Sequence, residues 1–159
     1  MVVAWEAAAE VARQNGVRVV HPRTGLVVSS AGGAWGRIVP LFKLGLGGKM
    51  GSGKQYWSYI SLHDEIAALK FALTNSHIAG PVNFVAPHAA TNAEITKVMS
   101  HVFKRPAFAH VPAAALKIAL GEFSQEVLGS TRVSPRVLLD AGFTYAHPDT
   151  LSAMKTLVK

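Results

Sequence analysis

Cysteine is absent from this sequence of 159 residues. Its absence excludes disulfide bonds, thiolate metal sites and a cysteine nucleophile. It also weakly favours a reducing compartment such as the cytoplasm. Any binding or catalysis must therefore rely on other side chains.

Long apolar runs and a secretory leader are missing as well. Half of the residues are apolar, but no run approaches the roughly 18 residues that a membrane-spanning helix requires. The start also lacks the basic stretch and long apolar stretch of a signal peptide. We therefore expect a soluble, cytoplasmic chain with no membrane partner, long enough to bury a core of its own.

Acidic residues are few, with 9 of them against 16 lysines and arginines, so the formal net charge is +7. Such an excess favours nucleic acids when the cations cluster. Here they are spread singly, without interleaved aromatic residues on which bases could stack. We expect a solvated basic surface and no nucleic-acid partner. A basic rim around a pocket for a phosphorylated ligand stays open as an alternative.

The short spacing of histidines that is typical of metal sites is missing too. The sequence has seven histidines, but no two of them lie three to five residues apart and none belongs to a carboxylate-rich cluster. Structural zinc sites and metalloprotease helices place their ligands at such short intervals. Ordinary core or surface histidines are therefore the better interpretation, and no metal site is predicted.

The stretch that organises the chain runs from Gly45 to Asp64. A loop rich in glycine, serine and lysine leads into an aromatic run typical of a strand. Gly48, Gly53 and Lys54 have the spacing of a phosphate-binding P-loop, but Gln55 stands where a magnesium-binding Ser or Thr is needed. Such loops also need a strand before the glycines and a helix after them, and here the order is reversed. A mobile loop beside a pocket is the better interpretation.

Short strands and helices alternate along the chain. Helix formers at 4–14 lead to the apolar run Val17–Val20, which predicts a buried strand, and residues 21–25 are expected to leave it as a loop. Ile66, Leu69 and Leu73 share one apolar face of a later helix. The alternation favours a mixed α/β architecture with a helical second half. The predicted helix caps are Asp64, the capping box of Thr91 with Glu94, and Asp149.

Several motifs, in this order, resemble those of one known family. The chain resembles the C-terminal half of the atypical short-chain dehydrogenase/reductase family of nucleoside-diphosphate-sugar epimerases, which ends in an uncharacterised domain. The resemblance covers nearly all of the 159 residues. The motifs are W-E-A-A-A, V-R-V-V-H-P-R-T-G-L-V-V, F-K-L-G-L-G-G-K-M-G-S-G-K-Q-Y-W-S-Y-I-S-L-H-D, G-P-V-N-F-V-A-P, T-N-A-E and T-R-V-S-P-R-V-L-L-D-A-G-F.

The resemblance implies an α/β fold, the C-terminal part of a Rossmann-like extended short-chain dehydrogenase/reductase with a small, mixed, mostly helical substrate-side domain. Residues 1–90 would be the remnant of the Rossmann-like domain with the substrate loop, and residues 91–159 the mostly helical domain. In this family an NADP-binding Rossmann half comes first. We therefore expect that half to be missing from this chain, and helix 4–14, which has no capping residue before it, to be the end of a longer helix.

Two family motifs have no counterpart here. The glycine-rich turn after a first strand, which is the cofactor fingerprint, is missing. None of the three tyrosines is followed four residues later by the lysine of the family's catalytic pair. The group that would move a proton beside hydride transfer is therefore lacking. We predict no catalytic residue in this chain, and NADP as a cofactor only of the complete protein.

The resemblance also implies which residues bind ligands. Arg23, Thr24, Gly25 and Leu26 match a loop that lies beside the nicotinamide in related enzymes; a loop that needs only a glycine turn is the alternative. A second set matches the substrate side, where amides and lysines could meet phosphate and aromatic faces could stack on a ring. Core packing for the aromatic residues and a surface salt bridge for the arginine are the alternatives. The predicted substrate-binding residues are Gly48, Lys49, Gly53, Lys54, Gln55, Trp57, Tyr59 and Arg132.

Two functions lead at this point, and polyanion binding through the charge of +7 is a third, weaker option. The leading prediction is the substrate-side portion of an NADP-dependent epimerase or reductase-like protein that acts on a small molecule and is inactive alone. The alternative is a non-catalytic binding or interaction module, a truncated paralogue that kept the pocket and lost the chemistry. The apolar face against which the missing strands would pack would need a partner to cover it. The predicted macromolecular partner is therefore either a missing N-terminal half or a second copy of the chain.

Overall fold

Strands and helices alternate as far as residue 111, and helices follow. The structure is a computed structural model that describes residues 2–158 and the side chains of all of these but Val2, Ala119, Leu120, Phe123 and Glu126. The strands are β1 (Val20–Thr24), β2 (Leu26–Val28), β3 (Gly48–Met50), β4 (Tyr56–Trp57), β5 (Tyr59–Ser61), β6 (Gly80–Phe84), β7 (Ala90–Thr91) and β8 (Ala109–Val111). The α-helices are α1 (Val2–Ala8), α2 (Glu10–Gln14), α3 (Gly33–Lys43), α4 (Leu62–Thr74), α5 (Asn92–Phe103), α6 (Ala113–Leu120), α7 (Ser124–Leu128), α8 (Arg136–Asp140) and α9 (Thr150–Lys155), with 3-10 turns at Gly121–Phe123 and Thr156–Val158.

The strands pair two by two within the described residues. β1 pairs with β6, β2 with β5 and β3 with β8, each in parallel, whereas β4 and β7 are antiparallel. Parallel neighbours end at the same edge, and α/β proteins bind their ligands beyond the carboxyl ends of such strands. The mixed α/β architecture predicted from the sequence is confirmed.

β1 does not lie where the sequence placed it. The predicted strand Val17–Val20, and the loop predicted after it, were wrong, because each residue from Val20 to Thr24 has a parallel partner in β6. Pro22 made this segment resemble a loop, since proline cannot donate a hydrogen bond. Proline is nevertheless tolerated in edge strands, and β6 is the one described strand that pairs with β1.

The start of α4 is also built differently from the prediction. The hydroxyl of Ser61 accepts the backbone N–H of Asp64 at 3.0 Å, so Ser61 is the helix cap and the assignment of Asp64 to that role was wrong. Ala68 and Ala72 face the core, while the face of Ile66, Leu69 and Leu73 is exposed. The helix therefore packs on its strands through small side chains and turns its larger apolar ones outward.

Two other helix starts are as predicted. The Thr91 hydroxyl accepts the N–H of Glu94, and the Glu94 carboxylate accepts the N–H of Thr91 at 2.7 Å. Asp149 and Ser152 form a second capping box at the start of α9. Both devices satisfy backbone donors that a helix start leaves free. The predicted caps of α5 and α9 are thus confirmed.

Buried apolar side chains form two clusters. Each contains residues from both sides of residue 90, and the predicted domain boundary at that point stays a prediction. No described helix is long and apolar enough to cross a bilayer. The first cluster includes Val28, Trp35, Trp57, Ile95, Met99 and Met154, and the second includes Ile60, Ala68, Val82, Phe84, Leu138 and Phe143.

Candidate functional site

A groove of about 1330 Å³ opens at the carboxyl end of β1. Parts of β1, β4, α1, α3 and the segment 127–133 line it. The lining is mainly apolar and aromatic with a few polar groups, which is typical of small-molecule sites. The large side chains in it include Trp5, Leu26, Trp35, Met50, Tyr56 and Trp57.

The four residues predicted to lie beside the cofactor all line this groove. Arg23 and Thr24 are the last residues of β1, Leu26 is the first of β2, and Gly25 joins the two strands. The structure therefore keeps this set together. It also places the set at the strand end, where parallel sheets bind ligands.

The side chains of Arg23 and Thr24 are engaged with two helices. The Arg23 guanidinium donates to both carboxylate oxygens of Glu6 in α1, each at 2.8 Å. This hydrogen bonding holds the pKa of Glu6 below its ordinary value and raises the pKa of Arg23. The Thr24 hydroxyl donates to the carboxylate of Glu65 in α4 at 2.9 Å. Both side chains thus fix helices to the strand end.

Gly25 lets the strand end lie against β4 and β5. The N–H of Leu26 donates to the carbonyl of Ser58 at 2.9 Å. A Cβ on Gly25 would lie 2.7 Å from that same carbonyl oxygen, closer than real Cβ contacts. Close backbone approach therefore explains this glycine without a ligand.

Aromatic rings form the wall opposite the strand end. The Trp57 indole N–H donates to the carbonyl of Val127 at 3.1 Å, and its ring meets that of Trp35 edge to face, with centroids 6.2 Å apart. The guanidinium of Arg132 covers the ring of Tyr56, 5.1 Å from its centroid. Of the predicted substrate residues, Trp57 lies in the groove and Arg132 lies beside it.

The glycine-rich loop has a different place. Gly48 belongs to β3, and a Cβ there would overlap the backbone carbonyl of Ala109 in β8. Lys49 lines a separate pocket of about 420 Å³, together with Thr96 and Lys97. This part of the predicted substrate loop therefore packs beside α5 and away from the groove.

The next three predicted substrate residues, Gly53, Lys54 and Gln55, lie in different surroundings. Gly53 has a positive φ of 72° and lies against Ala93 of α5. Lys54 is exposed at the surface of the loop. Gln55 is buried, and its side-chain amide donates to the carbonyl of Met50 at 2.9 Å. The contacts of Gly53 and Gln55 hold the loop in shape.

The start of α5 faces this loop, yet its amides are already bonded. The N–H of Asn92 donates to the carbonyl of Gln55 and that of Ala93 to the carbonyl of Gly53, both at 2.9 Å. The side-chain oxygen of Asn92 accepts the N–H of Met50. Phosphate loops leave such amides free for the anion. The contacts agree with the sequence argument against a P-loop.

Tyr59 lies in the core between β5 and α9. Its hydroxyl is 2.8 Å from that of Thr150, and burial raises the pKa of Tyr59 to about 12. The phenol therefore stays neutral at physiological pH. These contacts favour the core-packing alternative for this residue.

Sequence reasoning missed several groove residues, of which Trp35 is the most informative. Its side chain is buried in α3 and lines the groove, and its indole N–H has no hydrogen-bond partner within the described chain. An unpaired buried donor is uncommon in folded proteins. No local signal pointed to Trp35, because it lies in an ordinary apolar helix. Val127 was missed as well, because it reaches the groove from a distant segment.

Comparison with known proteins gives matches over nearly the whole chain. The family described as Domain of unknown function (DUF1731) matches residues 111–157. The epimerase family protein Mb2239 of Mycobacterium bovis is 46% identical over 91% of this chain and 48% of that protein. The crystal structure of human epimerase family protein SDR39U1 with NADPH has a TM-score of 0.85 and 36% identity, over 89% of this chain and 48% of that one. A nucleoside-diphosphate sugar epimerase from Corynebacterium glutamicum gives 0.74 and 29%, over 98% and 30%.

This chain spans about half the length of Mb2239 and of the human protein. The shared fold is that of the C-terminal portion of Rossmann-like epimerases, as the motifs predicted. Family match, sequence identity and fold thus agree, and they place this chain in the atypical short-chain dehydrogenase/reductase epimerase family, to whose C-terminal part it corresponds.

Proposed function

We propose that this chain forms the substrate-side wall of an NADP-dependent epimerase or reductase-like site, and that it does not turn over a substrate alone. The observation that carries the proposal is the groove of about 1330 Å³ at the carboxyl end of β1, lined by residues 23–26 and by the aromatic wall. Its position and lining are those of a small-molecule site in an α/β protein.

The groove fits the nicotinamide end of such a cofactor. The segment Gly25–Leu26 at the strand end and the flat rings of Tyr56 and Trp57 line it, and they would hold a planar ring between backbone and aromatic faces. The similar human protein was crystallised with NADPH. When bound, such a cofactor supplies the hydride.

Positive groups at the groove favour an anionic or phosphorylated small molecule. Arg37 of α3 lines the groove, and Arg132 lies over Tyr56 at its edge. Guanidinium groups bind phosphate and carboxylate through paired hydrogen bonds. In this proposal, Arg37 and Arg132 form the basic rim that the sequence left open.

We expect the chain to be inactive by itself because it lacks the acid and base of the family. No tyrosine in the sequence has a lysine four residues later, and no glycine-rich turn follows a first strand. A second chain portion must therefore supply proton transfer and hold the cofactor phosphates. The purified chain should bind the nicotinamide end weakly and show no turnover.

The test uses reduced nicotinamide mononucleotide, which carries the ring and one phosphate. We expect saturable quenching of the tryptophan fluorescence, since Trp5, Trp35 and Trp57 all line the groove. We expect no NADPH-dependent turnover on a panel of carbonyl compounds. Arg37→Gln should weaken binding about tenfold, the effect of one charge-assisted hydrogen bond. Arg136→Gln, an exposed arginine outside the groove, is the matched control. Turnover by the chain alone, or equal binding by both variants, would overturn the proposal.

A second candidate, an interaction module, rests on exposed apolar surface. Val3, Trp5 and Val11 in α1 and α2 are each more than 60% exposed. The outer face of α4 adds Leu62 and Leu73. A partner or second copy would cover them. Light scattering should then show self-association or capture of a partner, and a stable monomer that binds no partner would count against this function.

A further inference from the structure

His63, Asp64 and His147 form a cluster that lies away from the groove. Their potential ligand atoms, one from each residue, all lie within 4.8 Å of one another. None of the three lines the groove. His147 comes 83 residues after Asp64, so the spacing of histidines along the sequence could not show the cluster.

The carboxylate of Asp64 is the fixed centre of this cluster. One oxygen accepts the N–H of Ala146 at 2.8 Å and the other accepts the N–H of His147 at 2.9 Å. Its side chain is 1% exposed. Within the described chain, its side-chain ion-pair partners are the two histidines, with no lysine or arginine among them. A buried carboxylate normally has a cationic partner or a metal ion.

The histidines stand at distances that suit a metal ion better than a hydrogen bond. Nδ1 of His63 is 3.4 Å from one Asp64 oxygen, and Nδ1 of His147 is 3.6 Å from the other. Good hydrogen bonds to oxygen are shorter, at roughly 2.7–3.2 Å. Two ligand atoms of a tetrahedral zinc ion, each about 2.0–2.1 Å from the metal, lie about 3.4 Å apart. Because the two histidines approach different oxygens, a site with one Asp64 oxygen closes when the widest of the three separations, which is within 4.8 Å, shortens.

The two rings have the freedom and the orientation that such a site needs. They meet edge to face, with centroids 5.7 Å apart. The side chain of His63 is 68% exposed and that of His147 24% exposed. His63 can therefore rotate by the small amount that closes the site, and solvent can reach the remaining coordination position.

We propose that this cluster binds a borderline divalent transition-metal ion such as Zn²⁺. His63, Asp64 and His147 supply the protein ligands and water completes the tetrahedron, with imidazole and carboxylate being usual zinc ligands. The Ser61 hydroxyl lies 3.0 Å from Nδ1 of His147, and the ion replaces it as partner of that nitrogen.

The ion would join two distant parts of the chain. Asp64 and His63 belong to the first turn of α4, directly after β5, while His147 precedes α9. A ligand that binds the folded state alone stabilises it in proportion to its concentration over the dissociation constant. The expected role is therefore to fix the 146–149 segment to α4, at a site independent of any cofactor.

The experiment is zinc titration of the tag-free chain by calorimetry, with thermal unfolding as a second measurement. We expect about one ion per chain, a higher Tm with Zn²⁺ but not with Mg²⁺, and visible absorption typical of tetrahedral Co²⁺ when cobalt is used. His63→Gln should weaken zinc binding at least tenfold and abolish the rise in Tm. Because His63 is exposed, that variant should fold.

His77→Gln is the matched control, since His77 is an exposed histidine just beyond the other end of α4. It should bind zinc as the unaltered chain does. His147→Gln should lose binding like His63→Gln. Absence of saturable binding, or zinc affinity in His63→Gln equal to that of His77→Gln, would overturn the proposal.

Discussion

The segment Arg23–Leu26 and a set of residues between Gly48 and Tyr59 were both predicted to bind ligands, and they have different places in the structure. The first stays whole and lines the groove. The second divides, with Trp57 in the groove, Lys49 at a separate pocket and Gln55 in the core. A position at the carboxyl end of a parallel strand is thus a better guide here to which residues line the groove than glycine and lysine content.

The largest expected effect tests whether the glycine loop is structural. Gly48→Ala should destabilise the fold by about 3 kcal/mol, because its Cβ would overlap the Ala109 carbonyl and separate β3 from β8. Urea unfolding measures this difference. Gly36→Ala in α3 is the control, since its Cβ would make an ordinary 3.6 Å contact and helix propensity predicts a gain of about 0.5–1 kcal/mol. Equal stability of both variants would leave Gly48 free for a ligand role.

Neighbouring residues of the loop allow a second comparison. Gln55→Leu should cost about 0.5–1.5 kcal/mol, because it removes the side-chain hydrogen bond to the Met50 carbonyl, which keeps the N–H of Gly53 as a second donor. Lys54→Ala should change the free energy of unfolding by less than about 0.5 kcal/mol, since Lys54 is exposed. Thermal or urea unfolding of both variants gives the contrast. If the two variants were equally stable, the division of this loop into core and surface would be wrong.

The sequence predicted the devices whose parts lie close together in the chain. The capping box of Thr91 with Glu94 is complete within four residues, and the structure has it. Asp64 was misassigned because its partners, the amides of Ala146 and His147, lie 82 and 83 residues away. A carboxylate after a strand looks the same in sequence whether it caps a helix or binds a distant loop.

Long-range pairing explains the other errors and omissions. The Trp57 indole donates to Val127, 70 residues away, so the segment that completes the groove carries no local signal. In α4 the face of Ala68 and Ala72 packs on the strands. The face with larger apolar side chains, whose spacing led to the prediction, is exposed. Burial depends on the partner surface as well as on amphipathic spacing.

A smaller effect concerns the carboxylate that fixes Thr24 to α4. Burial raises the pKa of Glu65 above its ordinary value of 4.5, and the Thr24 hydroxyl only partly offsets this. As pH rises, the Glu65 carboxyl therefore ionises at lower pH in the unfolded chain than in the folded chain. Between these two pKa values the free energy of unfolding falls. Glu65→Gln removes that loss, so the variant should gain stability relative to the unaltered chain as pH rises above the ordinary pKa of 4.5.

Glu94→Gln gives a control of opposite sign for that measurement. Hydrogen bonds from Thr91 hold the pKa of Glu94 below its ordinary value, so its contribution is present above that ordinary value and is lost as pH falls through the folded pKa. This variant should therefore lose stability relative to the unaltered chain as pH rises. Urea unfolding at several pH values measures both, and slopes of the same sign would contradict the assignment of Glu65 as a buried carboxylate.

The smallest expected effect decides whether Arg132 belongs to the groove. Its guanidinium lies over the Tyr56 ring, and an exposed contact of this kind stabilises by about 0.5–1 kcal/mol. Arg132→Gln and Tyr56→Leu should each lower stability, and the double variant should lose less than their sum, since the shared contact is removed once. Arg132→Gln should also weaken binding of reduced nicotinamide mononucleotide. Coupling without an effect on binding would make Arg132 a structural cover for Tyr56, and the substrate side of the site would then rest on Trp57 and Arg37.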